Sequence, residues 1–218
     1  MTEQKTEKTE QKKKRHFLVR AFRKAMFTTL AVCGLYTGWY AALYAGRGQK
    51  LTNGETELVK GIFGDEINPS KIRKHFRSES SIAHVLPSKA GMVPPPFSHI
   101  DFYGTKVHSR DYSRDTKRNF GLFLHEATHT WQGQTMTFPM KNIGVYEYTL
   151  TKNSRFNDFG TEQQAEIIED YAQTWLYKDP KAKPHTAQDT LLFKVVEKRF
   201  PRAHKTRVQF QKTGTIRI

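Results

Sequence analysis

The sequence predicts an α+β domain organised on two facing helices and a small sheet, preceded by a single membrane-spanning helix. Three observations carry this expectation. Residues 25–46 contain no charged side chain. Two later segments, 116–132 and 161–177, keep apolar residues at helical spacing and run out near Gly133 and Pro180. Around them lie short stretches such as 99–103, where polar and apolar residues alternate with the period of a half-buried strand.

The chain has 218 residues, of which 37% are hydrophobic and 26% charged, so part of it is expected to stay outside any packed core. Lys and Arg number 36 against 21 Asp and Glu, a net charge of +15 that favours anionic partners such as an acidic membrane surface or wall polymer. Residues 1–24 hold nine Lys and Arg against three Glu, and the first fifteen are almost wholly Thr, Glu, Gln and Lys. With no apolar surface to bury, this stretch is expected to be a disordered basic tail.

As a helix, residues 25–46 would be about 33 Å long, enough for the roughly 30 Å hydrocarbon core of a bilayer. A buried core helix would normally keep one polar face, and this run has none. A cleaved signal peptide would have a shorter apolar core and a small-x-small site, where Leu43 and Tyr44 stand instead. An uncleaved anchor fits best, with Tyr36, Trp39, Tyr40 and Tyr44 as an interfacial belt. The basic flank then stays cytoplasmic, and the following domain is expected on the periplasmic or extracellular side as part of a single-pass membrane protein. Gly34 and Gly38 form a GxxxG pair that offers a close-packing face for a homodimer, and Cys33 reads as a small apolar residue in the span.

Residues 47–200 are expected to form the folded domain, and 201–218 a loosely held basic tail. Residues 58–63 read as an amphipathic segment ended by Gly64-Asp65, and Pro94-Pro95-Pro96 as a rigid loop. Residues 106–108 are expected to pair with 99–103 across Gly104-Thr105, and 146–150 to form another strand. Thr161 and Gln164 have the spacing of a capping box at the start of the second long helix. A last helix is expected over 190–199, closed by Pro201.

The chemistry lies on the first long helix, where residues 125–129 read His-Glu-Ala-Thr-His. Four residues advance a helix by about 400°, so His125 and His129 share one face, one turn apart. That places two imidazole nitrogens to share a tetrahedral zinc, with Glu126 beside them as general base for a zinc-activated water. Phe120, Phe123, Leu124, Ala127 and Trp131 supply the stripe that docks this helix on a core. One cysteine excludes a disulfide framework and multi-cysteine metal sites, so a third ligand must be His, Asp or Glu. The second helix supplies Glu162, Glu166, Glu169 and Asp170. Glu162 with Glu166 fits an acid pair four residues apart, and so does Glu166 with Asp170. The first pair is preferred because Ala165 then provides a small residue where the helices approach.

These residues resemble a known group. His125 to Gln132, with Glu162-Gln163-Gln164-Ala165 and Asp170-Tyr171, is similar to HExxH zincin-like bacterial proteins of the glutamate-zincin type, among them Vgr-related and Rhs-associated secretion-system proteins. The segments Phe63-Gly64-Asp65-Glu66-Ile67 and Ser70-Lys71-Ile72-Arg73, with His75, the run 100–103, and Tyr146, Tyr148 and Leu150, extend the likeness over roughly residues 58–178. The N-terminal anchor and basic tail fall outside it. The resemblance implies a zincin-like metallopeptidase fold and one catalytic Zn2+, and with it a bacterial inner membrane for the anchor. It further implies His125, His129 and Glu162 as ligands (Glu166 as the alternate), Glu126 as base, and an acid four residues after the ligand to hold a zinc-binding imidazole.

The expected function is therefore membrane-anchored, zinc-dependent hydrolysis of peptide bonds in a polypeptide or peptidoglycan-peptide substrate. The alternatives are a non-catalytic zincin-fold binding protein at the cell envelope and a peptidoglycan-directed amidase. Tyr146, Tyr148, Tyr171 and His108 are candidates to stabilise an oxyanion. His75, His84, His99, His185 and His204 read as surface or loop residues. No Gly-rich loop, zinc-finger spacing or RNA-binding motif speaks for specific nucleic-acid binding.

Overall fold

Among the described residues, five helices and one small four-stranded sheet share a single hydrophobic core. The computed structural model describes residues 44, 48–77, 91–93, 98–139, 141–142, 144–178 and 185–214. Among them the elements are β1 (Gln49–Lys50), α1 (Asn53–Phe63), β2 (Arg73–Arg77), β3 (Gly91–Met92), β4 (His99–Tyr103), α2 (Lys117–Gln134), α3 (Thr161–Trp175), α4 (Ala187–Arg199) and α5 (Pro201–Thr213). The mixed α+β class follows from five helices and one four-stranded sheet in this set.

The expectation of a single-pass membrane protein is overturned: among the described residues, no helix is long and apolar enough to cross a membrane. Residues 25–46, apart from Tyr44, lie outside the described residues, as do the basic tail 1–24, the Gly34/Gly38 pair, the Pro94–Pro96 loop and His84.

The sheet order is β1-β2-β4-β3. β2 and β4 pair in parallel, with His75 opposite Asp101 and Phe76 opposite Phe102, while β1 and β3 flank them antiparallel. The hairpin expected across Gly104-Thr105 is therefore absent: β4 pairs with the distant β2, and Thr105–Val107 forms a 3-10 turn. Ile100 and Phe102 lie fully buried on the core face. Lys74 reaches the same interior, where its ammonium sits 2.6 Å from the Glu55 carboxylate and both side chains are wholly buried. Glu55 also accepts the Tyr112 and Thr52 N–H groups, so the buried charges are satisfied by hydrogen bonds as well as by each other.

The other face of β2 and β4 is polar. His75 and His99, expected at the surface, face each other across the strands with His75 Nε2 2.7 Å from His99 Nδ1, and His75 is only 6% exposed. Gly48 (φ +118°) makes room for the ring, since a Cβ there would fall 2.6 Å from His75 Nε2. Burial lowers the His75 pKa to about 4, with Asp101 opposing and His99 and Arg77 assisting. Arg73, Arg77, His99, Asp101 and Tyr103 line this face with it. An unfolded histidine titrates near 6.5, so between about pH 6.5 and 4 the unfolded chain binds the extra proton. Stability contributed by neutral His75 is thus complete above that window and lost on acidification through it. Urea unfolding at pH 7 and pH 4.5 should show this loss, and His75→Gln should flatten the slope; an equal slope in the variant would exclude His75 as its source.

Thr116 caps α2 by accepting the Asn119 N–H. Phe120, Phe123, Leu124, Ala127 and Trp131 of that helix are buried to 2% exposure or less. Trp131 explains why a distant segment accompanies the histidine motif: its indole stacks on Phe63 at 5.7 Å and donates to Glu66, which also takes both Arg199 nitrogens. The capping box expected from Thr161 and Gln164 does not form, and α3 starts one residue earlier than that spacing implies. Gly160 is the cap, with its N–H donated to Gln163, while Thr161 turns its hydroxyl to the Pro139 carbonyl. Residues 146–150 form no strand and do not join the sheet. α4 begins at Ala187, capped by the Thr186/Asp189 box. Of the expected basic tail, Pro201–Thr213 is not loosely held: Pro201 opens α5, where the Thr206 hydroxyl bonds the Gly61 carbonyl of α1 at 2.8 Å.

Candidate metal centre

α2 and α3 present His125, His129 and Glu162 to one point. Glu162 Oε2 lies 3.4 Å from His125 Nε2 and 3.3 Å from His129 Nε2. One ligand atom from each of the three residues falls within 4.8 Å of the others. A tetrahedral ion with bonds of about 2.0–2.1 Å has ligand–ligand edges of roughly 3.3–3.4 Å. The donor chemistry, two imidazoles and a carboxylate, and these two edges therefore fit a tetrahedral metal ion. Burial alone would raise the Glu162 pKa, but hydrogen bonds from His125 and His129, and their charge, hold the carboxyl well below the usual range.

Each histidine is fixed from behind. Gln132 donates its Nε2 to the Thr161 carbonyl and to Gln164 Oε1, which turns its own Oε1 toward His129 Nδ1 at 2.9 Å. That oxygen can only accept, so His129 carries a proton on Nδ1. The sequence reading gives Gln132 and Gln164 no part in holding the metal ligands. Their signal is present all the same, because Gln132 lies three residues after His129 on one helix face. His125 Nδ1 faces Glu169 Oε2 at 3.2 Å and Glu166 Oε2 at 3.6 Å, and these three form a second group of clustered donors.

Glu166 thus stands on the Nδ1 side of His125, away from the point where both Nε2 atoms converge. Asp170 is held elsewhere, accepting the Tyr148 hydroxyl at 2.5 Å. Of the two acid pairs read from the sequence, the geometry brings Glu162 to the histidine pair. Glu126 is 2% exposed and packs against the edge strand, where a Cβ on Gly91 would lie 2.5 Å from Glu126 Oε1. Only a residue without a side chain leaves that carboxylate its place.

Among the oxyanion candidates, Tyr146 alone is found against the histidines, its ring stacked on His125 with centroids 6.2 Å apart. Tyr148 is committed to Asp170, and burial followed by the Asp170 charge raises its pKa. Tyr171 donates to the Ala203 carbonyl and Glu197. His108 lies on the sheet side, near the Arg77 carbonyl and tilted against the Phe76 ring. His185 stacks on Trp175 at 3.8 Å, and His204 pairs with Glu197.

No protein-family model matches the chain. The chain is 31% identical over 163 residues to the type VI secretion system spike protein VgrG2b of Pseudomonas aeruginosa. The match takes in 65% of this chain and 15% of that much longer protein. Among solved structures, the effector domain of Pseudomonas aeruginosa VgrG2b is similar at 26% identity, over 72% of this chain and 89% of that one, with a TM-score of 0.48.

Proposed function

We propose that the chain is a zinc-dependent hydrolase of peptide bonds that serves as an effector of a secretion system. The observation that carries the chemistry is the convergence of His125 Nε2, His129 Nε2 and Glu162 Oε2 at tetrahedral edge lengths, with the buried Glu126 carboxylate on the same helix. The identity with part of a type VI secretion system spike protein supports the secretion-system setting.

In this reading His125, His129 and Glu162 hold the ion. A zinc bound there supplies Lewis-acid polarisation of a carbonyl and an acidified water. The chain's own residues do the rest. Gln132 keeps the His129 Nε2 lone pair available. Glu126 takes the proton of the attacking water and returns it to the amide nitrogen as the C–N bond breaks. The Tyr146 hydroxyl is assigned the developing oxyanion, because its ring already rests on His125. The substrate is a polypeptide or the peptide portion of peptidoglycan.

The experiment is hydrolysis of a broad peptide library and of purified cell-wall material by the full chain, before and after chelation. Cleavage that stops with chelator and returns with zinc is the expected result. Cleavage indifferent to chelator overturns the metal assignment, and a zinc-loaded chain that cleaves neither material favours the binding-protein alternative.

A further inference from the structure

The resemblance to glutamate-zincins points to the acid four residues after the ligand, Glu166, as the group that steadies His125. The geometry points to a different residue: we infer that Glu169, seven residues after Glu162, is the positioning residue for His125, and that Gln173 and Gly121 hold it in place. This rests on the hydrolase reading for its consequence, though not for its geometry.

Glu162, Glu166 and Glu169 lie at i, i+4 and i+7, one stripe of α3 turned toward α2. Along that stripe His125 meets different residues with its two nitrogens. Nε2 faces Glu162, and Nδ1 faces Glu169 at 3.2 Å, within reach of a charge-assisted hydrogen bond. Glu166 stands 3.6 Å from the same nitrogen, beyond that reach. Glu169 is also the less exposed of the two, at 14% against 23% for its side chain.

A positioning carboxylate must itself be positioned, and Glu169 is. Its Oε1 accepts the Gln173 side-chain N–H at 3.1 Å, leaving Oε2 for His125. Gln173 in turn occupies space that α2 leaves open. A Cβ on Gly121 would collide with Gln173 Nε2. Gly121, Gln173, Glu169 and His125 thus form one chain of contacts between the two helices, ending at a ligand nitrogen. The two histidines are steadied differently, His129 by a neutral amide and His125 by a carboxylate.

The test uses the full chain and its Glu169→Gln, Glu166→Gln, Gln173→Ala and Gly121→Ala variants. Zinc affinity is read by competition with a chromophoric chelator, and the His125 ring protons by nitrogen-edited NMR of the metal-free protein. Glu169→Gln should weaken zinc binding by about 10–100-fold, with Glu166→Gln losing less. The low-field His125 Nδ1 proton signal should be present in the unaltered chain and in Glu166→Gln, and lost in Glu169→Gln. Gln173→Ala and Gly121→Ala, which keep the carboxylate but free it to move, should shift the same signal and weaken zinc in the same direction. An equal or larger loss in Glu166→Gln overturns the inference. So does an Nδ1 signal that survives in Glu169→Gln. If the unaltered chain binds no zinc, the hydrolase reading fails while the ring-proton result still decides the role of Glu169.

Discussion

Glu126→Gln is expected to lose about 10²–10⁴-fold in hydrolytic rate while keeping its zinc. The side chain is not among the three whose donor atoms converge, so the metal site should survive its neutralisation. Gln keeps the size of Glu and nearly its helix propensity, so α2 should keep its place. The carboxylate fits closely against Gly91, so the isosteric change is preferable to truncation, which would also open a cavity. The measurement is paired: zinc stoichiometry and hydrolysis on the same preparation. Rate lost with metal retained is the expected outcome. Unchanged hydrolysis removes Glu126 from the mechanism.

Glu162→Gln is expected to do the opposite, losing the metal first and activity with it. Glu162 supplies the only negative charge among the three converging groups, and its carboxyl stays ionised well below the usual range in this setting. An amide in its place removes that charge and leaves a two-histidine site. The loss of zinc affinity should exceed the about 10–100-fold expected for residues that only steady a ligand, Glu169 included. If Glu166→Gln instead empties the site while Glu162→Gln leaves it loaded, the third ligand lies one turn further along α3.

How much of this was legible in the sequence divides along physical lines. The two long helices show in apolar spacing, because each buries one side against the same core. His125 and His129 could be named from helix periodicity, and Glu162 was preferred over Glu166 because Ala165 leaves a small residue where the two helices approach. The pairing of β2 with β4 could not be read. It joins residues 26 apart in parallel, and nothing in the five-residue strands distinguishes that from a hairpin. His75 and His99 looked like surface residues because burial of a polar sheet face depends on what covers it. The helix α5 was hidden by its charge. It docks through Ala203 and Thr206, two small residues that leave little trace in a hydropathy pattern. Glu169 was visible as one acid among several, but its preference over Glu166 depends on side-chain placement across two helices. Residues 25–46 show the limit of the opposite kind. A charge-free run with a basic flank and an aromatic belt implied an anchor, yet no helix among the described residues is long and apolar enough to cross a membrane.

The central claim is that one zinc ion sits between α2 and α3, and the most direct measurement is the metal content of the purified full chain beside that of its His129→Ala variant. The two Nε2-to-Glu162 distances of 3.4 and 3.3 Å predict one zinc per chain in the unaltered protein. They predict its loss when His129 is removed, since two donors cannot hold the ion as three do. Zinc absent from the unaltered chain, or present equally in both, would contradict the account.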